Sequence, residues 1–548
     1  MKWTLIVLGA LAGAVLVVTQ ATSFALAWWF GNPYHPFLVV AALRSSSAAA
    51  HDLVTVAGVA SLSAWFVALG LLQTLFKKAR QGARFATAHE LKQRGLLAPR
   101  PRRVVLGKMG RKFVCDGGDE HVLVAAPTRA GKGVGLVVPT ALCWEGAMLV
   151  LDVKGEAFEL SSGWRAKMGD RVFVFHPMSR ETHRFNPLDA LVRSDEPGQE
   201  ALRLAGAILP LGEQVKDPFW INAGRELLAG ALLWSWSTAG ERHTAASIGD
   251  ALDLLLPTPG SDKPVHENME EQIASVASLH RTGEQYLRAW CEQKDDKTRG
   301  NILKTVTSGM SIFQSERVRA ATAASDFDLG ELRRSLMTVY VVVSPPDMDA
   351  LSPLLRLVVG AAIAENTRTL PEHDPSVRHQ ALLLLDEFPL LGRSEVVEKS
   401  LGVCAGYGLR QVTIVQSIAS LSKAYGERGA EVIVDAHGAR VQFGMRRVRE
   451  AREISEALGR EVVRKPKAVE DLKDVARGGG TQESEKLLMS TDEVLNMDDR
   501  DALLSMRSMR IAKLKKIRYF EEGPLKKRAG RPVRAEPWPR AELAAAAE

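Results

Sequence analysis

Short runs of aliphatic and β-branched residues recur along the chain at His121–Ala126, Ala147–Leu151, Val172–Phe175, Thr338–Val343, Ala381–Leu385, Val412–Val415 and Arg440–Phe443. Several are separated by stretches long enough for a helix. Alternation of this kind predicts a mostly parallel sheet covered by helices on both faces, an α/β core. Between Leu188 and Phe327 the pattern changes to amphipathic stretches such as Arg225–Trp236, Glu267–Leu279 and Glu284–Gln293, with no comparable strand. An all-helical insertion in the α/β core is the economical expectation.

At the N-terminus the pattern is different again. From Trp3 to Tyr34 and from Val54 to Phe76 no side chain carries a formal charge, and each run exceeds the roughly 20 residues that span hydrocarbon. Two transmembrane helices are predicted. Trp28 and Trp29 stand where interfacial aromatics belong, and Lys77, Lys78, Arg80 and Arg84 follow the second run. The positive-inside bias then puts both termini in the cytoplasm, with an external loop around Gly31 to Leu53. Ala25-Leu26-Ala27 also resembles a leader cleavage site; on that reading the second helix alone is the anchor. Lys77 to Lys112 holds Glu90 as its only acid, which suits a stem facing lipid or nucleic acid, or simply a juxtamembrane flank.

Length and charge change this picture only modestly. A chain of 548 residues is too long for one core, so two or three domains are expected beyond the anchor. The net charge of +7 fits an anionic partner, nucleic acid or membrane, and equally a solubilising surface. Cysteines at 115, 143, 291 and 404 form no C-x-x-C, so neither a zinc site nor a disulfide framework is indicated. Arg477–Glu485, with its Gly478-Gly479-Gly480 run, reads as a flexible linker or loop, and the stretch from Gly523 lacks a plausible core and reads as disordered.

The strongest chemical signal is Ala126-Pro127-Thr128-Arg129-Ala130-Gly131-Lys132-Gly133-Val134, between an apolar strand and a helix-compatible segment. Backbone amides of such a loop hold phosphates, while the lysine reaches the β- and γ-phosphates. Two positions depart from G-x-x-x-x-G-K-[ST]: Ala126 replaces the first glycine, and Gly133 replaces the hydroxyl residue that ligates magnesium. Far downstream, Leu382-Leu383-Leu384-Leu385 ends in Asp386 and Glu387. Asp386 is the candidate magnesium ligand and Glu387 the base that orients the attacking water; alone, the pair could equally be a strand-end cap. Gln416, ending another apolar strand, is a candidate γ-phosphate or water sensor or a plain strand cap. A hydrolytic site of this kind needs a further positive charge, often an arginine from a neighbouring subunit, for which Arg410 and Arg393 are candidates.

Taken in order, these residues resemble a known family. Gly82-Ala83-Arg84-Phe85-Ala86, the loop Pro127–Gly135, Asp152-Val153-Lys154-Gly155-Glu156 and Phe185-Asn186-Pro187-Leu188 match its segments. Asp217-Pro218-Phe219-Trp220, Asp386-Glu387-Phe388 and Val415-Gln416-Ser417 continue the match. The family is that of the TraG- or TraD-like coupling proteins of type IV secretion and conjugation. Its members commonly carry Gly after the P-loop lysine; Val153 stands where they usually have Pro.

The resemblance implies a RecA-like P-loop ATPase with an inserted all-α domain and two N-terminal transmembrane helices. The expected division is 1–80 anchor, 81–190 and 328–522 nucleotide-binding domain, 191–327 all-α substrate-facing domain and 523–548 disordered tail. It further implies ATP and Mg2+ as ligands and a homo-hexamer in the bacterial inner membrane. Such an ATPase would recruit relaxase-bound single-stranded DNA into a secretion channel. Protein effectors are the alternative cargo, a non-hydrolysing recruitment scaffold is a second reading, and the helical insertion disfavours a chromosome-segregation motor.

Overall fold

A computed structural model describes residues 20, 82–97, 103–212, 215, 217–466 and 481–534. The two apolar N-terminal runs lie outside these residues, Gln20 apart. Among the described residues no helix is long and apolar enough to cross a membrane.

Two compact units divide the chain, and Gly459–Leu488 belongs to the first. Arg84–Leu458 together with Met489–Glu548 form the second. In chain order the strands of the second unit begin with β1 (Val104–Met109), β2 (Lys112–Asp116), β3 (Val122–Ala125), β4 (Ala147–Val153) and β5 (Arg171–Phe175). After a helical stretch come β6 (Met337–Val343), β7 (Ala381–Leu385), β8 (Leu409–Val415) and β9 (Ala439–Gln442). The first unit then supplies a hairpin of β10 (Arg460–Pro466) and β11 (Thr481–Leu487), before β12 (Asp501–Met506) and β13 (Ala512–Lys515) return to the second.

The large sheet is ordered β2-β1-β13-β12-β9-β3-β8-β7-β4-β6-β5. From β9 to β5 every pairing is parallel, whereas β12, β13, β1 and β2 extend it antiparallel. Side chains of successive residues leave a strand on opposite faces, and the parallel strands feed two cores accordingly. Leu149, Leu151, Val339, Val341, Leu383 and Leu385 join one apolar cluster. Their neighbours Met148, Val150, Tyr340, Val342, Leu382 and Leu384 join the other.

Helices cover these faces. A π-helical turn, Gly133–Val137, runs into α1 (Val138–Cys143), and α2 (Glu156–Lys167) follows β4. Between β5 and β6 lie α3 (Pro197–Ile208), α4 (Phe219–Thr238), α5 (Ile248–Leu254), α6 (Val265–Ser275), α7 (Arg281–Cys291) and α8 (Asp296–Gly309). Their buried side chains, including Leu204, Leu228, Leu232, Leu287 and Val306, belong to the same cluster as one face of the sheet. After β6 comes α9 (Met348–Asn366), and after β8 comes α10 (Ile418–Ala436). Arg356 of α9 ties the helices to the sheet edge. Its buried guanidinium donates to Ala207 and Ile208 O at the end of α3 (2.5 and 3.2 Å) and to Leu391 O (2.7 Å), just beyond the acidic pair.

Two expectations are corrected. The segment ending at Glu485 is not all loop: from Thr481 it forms β11, registered residue for residue against β10 from Arg460↔Leu487 to Pro466↔Thr481. Residues 467–480, with the glycine run, lie outside the described residues. Nor is the tail from Gly523 structureless over its described part, because Gly523–Arg528 forms α11 with Leu525 buried. Arg528 donates to Leu142 O (2.9 Å) and lies 4.8 Å over the Trp164 ring, while Gly530 and Val533 N–H donate to Leu160 O and Ser162 Oγ. One apolar anchor and satisfied backbone donors are enough to order a basic segment. Residues 535–548 lie outside the described residues.

Candidate nucleotide site

Because β3, β8 and β7 are parallel neighbours, their C-terminal ends finish on one edge of the sheet. Ala126, Gln416 and Asp386 each follow one of those ends. The loop leaving β3 starts hooked to the next strand, Ala126 N–H donating to Val415 O at 2.8 Å. It then reverses through two left-handed residues, Arg129 (φ 65°) and Gly131 (φ 84°). Gly135 N–H donates back to Gly131 O (2.8 Å), closing a turn around Lys132, Gly133 and Val134, and the wide π-helical turn starts at Gly133, whose carbonyl accepts from Val138 N–H. A left-handed arginine and a π-turn are uncommon, and both concentrate at functional sites.

Four predicted side chains converge here. Lys132 Nζ lies 3.0 Å from Asp386 Oδ1 and also pairs with Glu387. Gln416 Nε2 donates to Glu387 at 3.2 and 3.3 Å, and Thr128 Oγ1 donates to Gln416 Oε1 at 3.4 Å. Glu387 owes its direction to a left-handed backbone (φ 55°, ψ 49°) that caps the 3-10 turn Phe388–Leu391. Phe388 is buried against Tyr425 of α10, rings stacked at 5.6 Å and 6°. An open cleft bordered by Glu387, Gln416, Ser352, Gly392 and Lys423 gives this edge access to solvent.

Two residues that sequence reasoning missed brace the loop from outside. Lys516, just after β13, donates to Ala130 O (3.1 Å) with its ammonium 4.8 Å over the Phe443 ring. Burial holds that ammonium below the usual lysine range. Arg446 donates to Thr128 O at 3.4 Å. In the sequence Lys516 sits in an ordinary basic run with Lys513 and Lys515, and nothing local distinguishes it.

Carboxyl groups crowd the opposite side. Burial pushes the Asp386 carboxyl upward, and the Lys132 charge opposes that. Although Lys132 is close, Asp386 Oδ1 receives no properly directed hydrogen bond. Asp152, near the end of the neighbouring β4, is pushed up to about 7 by burial, with Asp386 and Glu156 adding repulsion. Phe158 N–H donates to Asp152 Oδ2 at 2.8 Å, which works the other way. A Cβ placed on Gly133 would meet Glu156 Oε2 at 3.5 Å. Among the described residues no three His, Cys, Asp or Glu side chains form a complete ligand set. One or two carboxylates beside a phosphate-binding loop suit magnesium, which otherwise keeps phosphate oxygens and waters. An acceptor with a spare lone pair at Asp386 and the bare cradle at Gly133 fit that ion.

Neither candidate arginine joins the cluster. Arg410 lies at the start of β8, the end remote from Gln416, fully buried in an ion pair with Asp116 (2.6 Å) and donating to Glu120 O (2.8 Å). A side chain so enclosed has no surface from which to reach another subunit. Arg393 pairs with Glu398 at 3.5 Å.

A sequence profile of the family described as Type IV secretory system Conjugative DNA transfer matches residues 78–538. Protein VirD4 of Rhizobium radiobacter is 32% identical over 429 residues, 76% of this chain and 59% of that protein. Protein VirD4 of Agrobacterium fabrum is also 32% identical, over 76% of this chain and 61% of its own length. Conjugal transfer protein TraG of Escherichia coli is 28% identical over 459 residues, with 76% and 71% covered. The chain thus spans about three fifths of the VirD4 proteins it matches. Among solved structures, unbound conjugative coupling protein TrwB aligns with a TM-score of 0.59 at 18% identity, over 80% of this chain and 92% of that one. TrwB in complex with ADP and Mg2+ aligns at 0.59 and 17%, over 83% and 95%. At these identities the likeness is one of fold.

Proposed function

The chain belongs to the type IV secretory conjugative DNA transfer family, and from that premise we propose that it is an ATP-hydrolysing coupling protein that drives relaxase-bound single-stranded DNA into a secretion channel. The observation that carries the enzymatic half is the convergence of Lys132, Asp386, Glu387 and Gln416 at neighbouring strand ends. A recruitment scaffold has no need of a base held in place by a glutamine.

On this reading the loop 126–134 holds the phosphates and Lys132 neutralises their charge. Asp386 holds magnesium, which when bound draws charge from the phosphate oxygens. Glu387 orients the attacking water and takes its proton, with Gln416 fixing the direction of its carboxylate. The TrwB structures contain an ATP analogue in one case and ADP with Mg2+ in another, which supports the same ligands here. Six copies around a channel, an inner-membrane anchor from the two N-terminal apolar runs, and contacts with channel components complete the proposal. A motor that moves any sequence must grip backbone phosphates, so its affinity for DNA falls steeply with salt.

The test is ATP turnover by the full-length protein in detergent with and without single-stranded DNA. Stimulation by DNA that fades as salt rises is the expected result. Turnover indifferent to DNA, with stimulation by an exported protein instead, transfers the reading to effector cargo; no turnover under any condition leaves the scaffold.

A further inference from the structure

We infer that Glu156 takes the place of the hydroxyl that this phosphate loop lacks, holding a water of the magnesium shell opposite Asp386. The inference rests on the nucleotide reading above and adds a residue to it.

Position 133 is where a P-loop normally supplies Ser or Thr to magnesium, and here it is glycine. The space beside it is bordered by a carboxylate: Glu156 Oε2 lies 3.5 Å from where a Cβ at 133 would stand. Chain geometry puts it there. β4 is the parallel neighbour of β7, so the turn after β4 opens on the same sheet edge as Asp386. Lys154 (φ 87°) and Gly155 (φ 79°) are consecutive left-handed residues that swing the chain into α2, with Glu156 as its first residue. A left-handed lysine is strained, and strain of this kind persists where it aims a functional group.

The Glu156 carboxylate is exposed and makes no hydrogen bond or ion pair among the described residues. Asp386, which follows the neighbouring strand and with Glu156 repels the Asp152 carboxylate, keeps one carboxylate oxygen without a directed hydrogen bond although the residue is only 8% exposed. Magnesium gives up its waters reluctantly, so a longer acidic side chain acting through water is a sound substitute for a short hydroxyl acting directly. The competing role for Glu156, an acid favoured in the first turn of α2, predicts nothing about metal.

The test uses the full-length protein with ADP, reading Mn2+ affinity by electron paramagnetic resonance and ADP affinity in chelator. Glu156→Gln weakens Mn2+ binding by about tenfold or more, as loss of an outer-shell partner does, and leaves metal-free ADP affinity unchanged. Adding Gly133→Ser to that variant restores Mn2+ binding, since the new side chain meets only an ordinary contact. Unchanged Mn2+ affinity in Glu156→Gln, an equal loss of metal-free ADP affinity, or no recovery with Gly133→Ser each overturns the inference. A wild-type protein that binds no ADP at all instead removes the nucleotide reading beneath it.

Discussion

Gln416 presents its side-chain amide to both carboxylate oxygens of Glu387, at 3.2 and 3.3 Å, while its own carbonyl accepts from Thr128 of the phosphate loop. It therefore links that loop to the Glu387 carboxylate without belonging to either, as the proposed hydrolysis requires. Gln416→Ala should lower kcat by about tenfold or more, because Glu387 loses its direction. ATP affinity should stay near wild type. Equilibrium binding of a fluorescent ATP analogue beside steady-state kinetics separates the two; a loss confined to affinity would contradict a positioning role.

Arg410 is structural in this arrangement. Removing one partner of a buried ion pair costs about 3–5 kcal/mol, since the other charge is left desolvated and alone. Arg410→Ala should thus lower the thermal unfolding midpoint markedly, while turnover per folded molecule is retained. An arginine acting on a neighbour's nucleotide would show the reverse, an unchanged midpoint with turnover abolished.

A second buried group lies under the same strands. His437 Nδ1 donates to Ile433 O (2.5 Å) and its Nε2 accepts from Thr413 (2.7 Å). His121 Nε2 donates to Leu401 O (2.9 Å), and its Nδ1 accepts from Gln411 N–H (3.0 Å). These tautomers follow from the carbonyl partners, which only accept. Burial pushes His437 down to about 3 and His121 down to about 4. Below about pH 6.5 the unfolded chain binds protons that the folded one refuses, so their stability contribution is present above that pH and is lost as pH falls toward 4. Each histidine contributes a slope of up to about 1.4 kcal/mol per pH unit. Unfolding midpoints at pH 7.5 and 5.5 should differ less in His437→Gln than in wild type; equal differences would count against this linkage.

How much of this was legible beforehand follows from the physics of burial. Strands β3, β4, β6 and β7 lie inside the parallel part of the sheet and are almost wholly buried, so they read as largely apolar runs such as Ala381–Leu385. The antiparallel edge did not stand out, because β13 alternates Ala512, Lys513, Leu514 and Lys515 over only four residues. In β11 the run Thr481–Leu487 has almost no apolar pattern, its pairing being carried by the backbone. Asp386, Glu387 and Gln416 were marked by their places at strand ends, and Lys132 by the glycine-rich loop that carries it. The segment holding Asp152 and Glu156 stood out in the family resemblance, whereas the bracing by Lys516 and the burial of Arg410 depend on sheet order, with β8 set between β3 and β7. That order arises from long-range pairing, which no local window contains.

The most direct test is ATP hydrolysis by Glu387→Gln, with nucleotide binding followed on the same protein. If the phosphate loop and the acidic pair form one hydrolytic site, turnover falls by about 100- to 10,000-fold while ATP still binds and Lys132→Ala abolishes that binding. Turnover at the wild-type rate in Glu387→Gln would contradict the site as described.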